Sequence, residues 1–263
     1  MSEHSPRRRR FALVAALLAA LPLAAAAQAD AQQLLSASDA IRNPERSFRA
    51  TVTVTEFEKG AQVNSLTLLS FARMAEGGGQ FATLMRFTQP PRDAGKVMLK
   101  NGADLWFYDP STKAAVRISP QQRLIGQAAN GDVVTVNFAR DYQARLAGEE
   151  TITDGERKTR ASQKLELRPS GDGAVYAAIE LWIDAASKAP IKARFFADSG
   201  RLLKTAYYRK FQRQLGADRP TETVIIDGVD TQSVTLVRLS DYAVRDLPAA
   251  WYQKEFLPRF NAE

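Results

Sequence analysis

From residue 48 to residue 242 the chain alternates apolar and polar positions with a period of two, in many short runs. In "SFRATVTVTEF", Phe48, Ala50, Val52 and Val54 share one face while Arg49, Thr51, Thr53 and Thr55 share the other. That is the signature of a half-buried strand rich in β-branched residues. A turn near Gly60 leads into "NSLTLLSFARMA". The reversal Glu76-Gly77-Gly78-Gly79 leads into "QFATLMRF", which ends at Gln89-Pro90-Pro91 and aligns Phe81, Met85 and Phe87 on one side. Further strands are predicted over 96–100, 103–108 (Leu105 and Phe107 on one face) and 114–118, divided by Asn101-Gly102 and Asp109-Pro110. The pattern resumes with "RLAGEETI", "KTRASQKLELR", "VYAAIELWID", "IKARFFAD", "LLKTAYYRKFQ", "TETVIIDG" and "SVTLVRLSDY".

Helical signals are few. "DAQQLLSASDAIRNP" groups Leu34, Leu35 and Ile41 and stops at Asn43-Pro44. A terminal helix is predicted over "PAAWYQKEFL", before Pro258. A third is expected at Ser119-Pro120-Gln121-Gln122, a capping-box pattern, with Gly126 as terminator and Asn130-Gly131 as a turn tolerant of positive φ. About eleven strands at hairpin spacing with so few helices indicate one mainly β domain, an antiparallel sheet without internal repeat or linker.

Several strands carry a fully apolar face. Val175, Ala177, Ile179, Leu181 and Ile183 form one, and Ile191, Ala193 and Phe195 another. Three short helices cannot cover so much apolar surface. Either the sheet closes into a packed barrel, or it stays open round a hollow that a ligand can fill.

The N-terminus changes where such a domain would work. Arg7 to Arg10 precede the apolar run "FALVAALLAALPLAAAA" and the small-residue pattern Ala27-Gln28-Ala29, as in a secretory signal peptide cut after Ala29. The run is short for a membrane span and is broken by Pro22. Residues 1–29 are therefore expected to be removed, leaving 30–263 as a single periplasmic domain. That removal takes four arginines and one glutamate and lowers the formal charge from +7 to +4. With no polybasic run in the remainder, no nucleic-acid partner is implied.

Absent residue types narrow the chemistry. The chain has no cysteine, and its one histidine is His4, inside the leader. This removes disulfides, thiol chemistry, the usual zinc sites and His-dependent triads. Carboxylates that fall together, Glu149-Glu150 and Asp227 to Asp230, read as solvated loop charges. No catalytic residue, metal or cofactor is expected.

The run "MRFTQPPRDAGKVMLKNGADLWFYDPSTKAAVRI", followed by "LIGQAANGDV" and "DYQARLAGEE", and later "WID", "PIKARFF" and "DSGRLLKTAYY", resembles the LolA-like outer-membrane lipoprotein-sorting family over nearly the whole chain after the leader. The resemblance implies an unclosed half-barrel with short helices covering the opening. It implies an apolar cavity for lipid acyl chains, with Phe48, Val52, Val54, Phe81, Met85, Phe87, Leu105, Phe107, Val175, Ile179, Leu181 and Phe195 as its lining. It also implies a lid at Leu124, Ile125, Gly126, Asn130 and Gly131, where Gln127, Ala128 and Ala129 depart from the family's serine and aromatic residues. The expected role is a monomeric carrier of lipoprotein acyl chains or another lipid, served by an inner-membrane transporter and an outer-membrane acceptor. The alternative is a non-catalytic sensor or accessory domain of an envelope lipid transporter.

Overall fold

A computed structural model describes residues 28–76 and 78–260. Residues 1–27, most of the expected leader, lie outside the described residues. Helix α1 covers 28–42. It ends where Asn43 N–H bonds to Asp39 O and Pro44 follows, as the sequence predicts.

Six strands then meander: β1 (Phe48–Glu58), β2 (Ala61–Met74), β3 (Phe81–Gln89), β4 (Val97–Asn101), β5 (Asp104–Asp109) and β6 (Ala114–Arg117). A crossover holds the hairpin β7 (Arg123–Ile125) and β8 (Ala128–Ala129) and the single turns α2 (Asn130–Val133) and α3 (Phe138–Asp141). Seven strands follow: β9 (Tyr142–Thr153), β10 (Thr159–Pro169), β11 (Ala178–Asp184), β12 (Pro190–Phe196), β13 (Leu202–Gln214), β14 (Ala217–Asp227) and β15 (Ser233–Val244). The order β6-β5-β4-β3-β2-β1-β15-β14-β13-β12-β11-β10-β9 makes one sheet of 13 strands, unclosed, with β6 and β9 at its edges. The strand expected over 114–118 is present as β6, whereas the short β7–β8 hairpin, which forms a separate two-stranded sheet, carries too little alternation to show in the sequence.

Register fixes which side of the curved sheet each residue faces. Val52 and Val54 pair with Leu68 and Leu66 of β2, and Met85 and Phe87 pair with Ser70 and Leu68. On the other half Leu167 pairs with Ile179, and Ile179 with Phe195. These residues line the concave side, in one core that also takes in Leu35 of α1 and Ile125, Val133, Val134 and Val136 of the crossover. The convex side has its own core. There Phe71, Leu84, Val97, Leu99 and Tyr108 are covered by Leu247, Tyr252 and Leu257.

Five local expectations fail. The C-terminal cover is two 3-10 segments, Ala249–Tyr252 and Lys254–Arg259, and not an α-helix. Gln253 between them is extended, and Pro258 has no N–H for an α-helical bond to Lys254. At Ser119 the hydroxyl does accept Gln121 N–H at 3.2 Å, yet only one turn forms. Pairing Arg123 with Ala129 and Ile125 with Ala128, which buries Ile125 and Ala128, outweighs the local cap. Asn130-Gly131 is no positive-φ turn: both residues open α2 and are buried. Glu149 and Glu150 are strand residues of β9, with Glu150 accepting the Trp182 indole N–H at 2.6 Å. Val175 lies in the loop before β11 and not on a strand.

Candidate functional site

The concave side of an open sheet exposes apolar rows that must be covered, and here the chain covers them with itself. Residues 118–141 run from edge strand β6 to edge strand β9 across the concave side, inserting Ile125, Val133, Val134 and Val136. A cavity of about 110 Å³ remains beside them, lined among others by Val52, Val133, Val134, Val175, Ile225 and Val237. Asp132, Tyr176, Phe195 and Tyr208 complete its inner wall, while Arg42, Asn43 and Asp141 stand at its polar side. Ligand pockets usually span roughly 300–1,000 Å³, so the cavity as it stands is too small for an acyl chain. A larger open groove, about 640 Å³, lies between the β9–β10 and β13–β14 hairpins. Its walls mix charged residues, Asp154, Glu156, Arg160 and Arg209, with Ile41, Tyr208 and Phe211.

The expected lining residues sort into three groups. Val52, Val175 and Phe195 border the cavity. Val54, Met85, Phe87, Leu105, Ile179 and Leu181 are buried in the same concave core, with Phe107 half-buried against it. Phe48 and Phe81 lie on the concave face but pack apart at one end, edge-to-face at 6.1 Å, with Tyr242 stacked on Phe48. Of the expected lid, Ile125 is buried in the core and Leu124 packs half-buried against it. Gly131 lines the cavity, and a Cβ there would sit 2.8 Å from Val175 Cγ2. Close approach therefore requires this glycine. Gly126 does adopt a positive φ, +53°, at the β7–β8 turn.

The polar contacts holding the crossover were not anticipated. Gln127 N–H donates to Thr235 Oγ1 at 2.7 Å, and its side-chain amide donates to Ser233 Oγ at 3.0 Å. The Asp132 carboxylate accepts Ala129 N–H at 2.7 Å, the Tyr176 hydroxyl at 2.7 Å, and Lys204 Nζ in a close ion pair. Lys204 also donates to Gln127 O at 3.2 Å and lies 4.9 Å from the Tyr176 ring centre and 5.6 Å from that of Phe195. Its side chain is 5 % exposed. The sequence did carry a signal for it: in "LLKTAYY", Lys204 shares the parity of Ala206 and Tyr208, a lone charge on an inward row.

Burial, and then the Asp132 charge, push the Tyr176 hydroxyl well above its ordinary pKa. Burial raises Tyr142 to about 12, against the two backbone N–H groups of Val175 and Tyr176 that its oxygen accepts. Both phenols are thus neutral hydrogen-bonding groups at physiological pH. At the other end, burial raises the Asp141 pKa despite the bond from Gln80, and burial lowers that of Lys100. Among the described residues no three His, Cys, Asp or Glu side chains are grouped to hold a metal.

A family model described as "Uncharacterized protein" matches residues 79–259. A solved LolA superfamily protein from Nitrosomonas europaea is 32% identical, aligning 86% of this chain with 98% of its own at a TM-score of 0.76. The chain belongs to the LolA superfamily. The LolA-like fold is shared by a putative outer membrane lipoprotein-sorting protein domain from Vibrio parahaemolyticus, 20% identical, covering 88% of this chain and 100% of that one, with a TM-score of 0.73. A DUF1329 family protein from Desulfovibrio piger gives 18%, 88%, 99% and 0.74 on the same measures. No curated protein matches the sequence. Among the described residues of this LolA-superfamily member no helix is long and apolar enough to cross a membrane.

Proposed function

We propose that the protein is a non-catalytic periplasmic carrier that takes up the acyl chains of a lipoprotein or another apolar lipid on the concave side of its half-barrel. The supporting observation is that this apolar side is filled by an inserted segment and not by closure of the sheet. A segment joined to the sheet edges by its two ends can leave without breaking the 13-strand ladder. The energies make the exchange reversible. A sixteen-carbon chain gains about 12 kcal/mol on leaving water, at about 0.8 kcal/mol per CH₂. Withdrawing the four buried side chains Ile125, Val133, Val134 and Val136 costs about 6–12 kcal/mol, at roughly 1.5–3 kcal/mol each. Uptake and release then differ by little, as hand-over between membrane proteins requires. The cargo would be delivered from an inner-membrane transporter to an outer-membrane acceptor.

Periplasmic export follows from the leader at residues 1–29. Cleavage before Asp30 would remove the bond from Gln28 Nε2 to Ala144 O but keep the three that join the Gln32 amide to Ala139, Tyr142 and Ala144. The test is native mass spectrometry of the protein isolated from periplasm without detergent. One acyl lipid per monomer is expected. Protein that arrives empty, and then takes up no lipid from vesicles, overturns the carrier reading.

A further inference from the structure

We propose that Lys204 Nζ and Tyr176 Oη form an anion subsite for the carboxylate or phosphate of the cargo lipid, which Asp132 occupies while the protein is empty. The inference rests on the carrier reading and adds the class of lipid. Asp132 is part of the crossover, and it lines the inner wall of the cavity with Tyr176 and Phe195. Lys204 belongs to β13 and Tyr176 to the loop before β11, so both stay in place when the crossover moves. The polar partners of Lys204, Asp132 and Gln127 O, are both on the crossover.

Opening therefore strips a deeply buried ammonium of its counter-charge. An uncompensated charge in such surroundings is strongly unfavourable, whereas a paired and hydrogen-bonded one is tolerated. The vacated position has two donors, the ammonium and the Tyr176 hydroxyl, framed by the Tyr176 and Phe195 rings, whose centres are 4.7 Å apart. An anionic oxygen on the ligand reproduces what the Asp132 carboxylate supplies. The sheet wall of the cavity beside it, which remains when the crossover leaves, is lined by Val52, Ala206, Ile225 and Val237, which favours an anion carrying an acyl chain over a free one. A neutral lipid of equal length would have to open the crossover and leave Lys204 unpaired.

The experiment compares cis-parinaric acid with its methyl ester, two fluorescent probes of the same chain, on the full-length secreted protein. We expect the acid to bind at least about tenfold more tightly, the least that one charge-assisted hydrogen bond supplies. Lys204→Met should bring the acid-to-ester ratio close to one, and Asp132→Asn should raise it. Thermal melts establish that each variant is folded, and the two substitutions move the ratio in opposite directions, so failure of one to fold leaves the other decisive. A millimolar excess of inorganic phosphate should not displace the acid. Equal binding of acid and ester by the wild type overturns the subsite and leaves the carrier standing. Displacement by phosphate alone overturns the lipid as its ligand, and binding of neither probe overturns both.

Discussion

Gly126 shows how a single residue sets the position of the crossover. Its φ of +53° is unfavourable for any side chain, and a Cβ there would overlap Thr235 Oγ1, the acceptor for Gln127 N–H. Gly126→Ala should therefore lower stability by about 1–3 kcal/mol, read from the midpoint of urea unfolding. A change of a few tenths would mean that the hairpin tolerates a shift away from β15. The need for glycine here was legible, but as a helix terminator. The closeness of Thr235, more than a hundred residues away, was not. Lys204 makes the same point in reverse. Its inward parity was readable, but only the fold supplies Asp132 and Tyr176 around it.

At the scale of elements, most strands are well specified by alternation, because one face meets the concave core and the other is more exposed, whereas β3 and β4 lie between two cores and are buried on both faces. The crossover obeys no such rule. Ile125, Val133, Val134 and Val136 enter the core from a segment without regular period, and Ser119 offers a helix start that hairpin pairing overrides. The lipid cargo and residues 118–141 compete for one space. Hydrogen exchange should accordingly quicken in 118–141 when cis-parinaric acid is added, while amides of β1, β14 and β15 stay protected. Protection that rises uniformly, crossover included, would show that ligand binds without displacing the segment.

In the whole molecule the single sheet serves two cores. The convex core depends on the C-terminal cover, where Tyr252 Oη donates to Phe71 O at 3.1 Å and Leu257 is buried. Leu257→Ala should cost about 2–5 kcal/mol in urea unfolding without altering the affinity for cis-parinaric acid, since the cavity is on the opposite side of the sheet. Loss of binding in a folded Leu257→Ala protein would show that the two faces are coupled.

The sequence alone determined the β architecture, the strand phases, α1 and the lack of cysteine chemistry, because these depend on local alternation, breakers and composition. It also placed Val52, Val54, Met85, Phe87, Ile179, Leu181 and Phe195 on one side, since a period of two fixes the face once the strand is known. Three things required the tertiary structure. These are the joining of β15 to β1, the filling of the open sheet by residues 118–141, and the meeting of Asp132, Tyr176 and Lys204. Each depends on contacts between residues far apart in the chain. Their energies come from burial and desolvation, and no local pattern of residues encodes those.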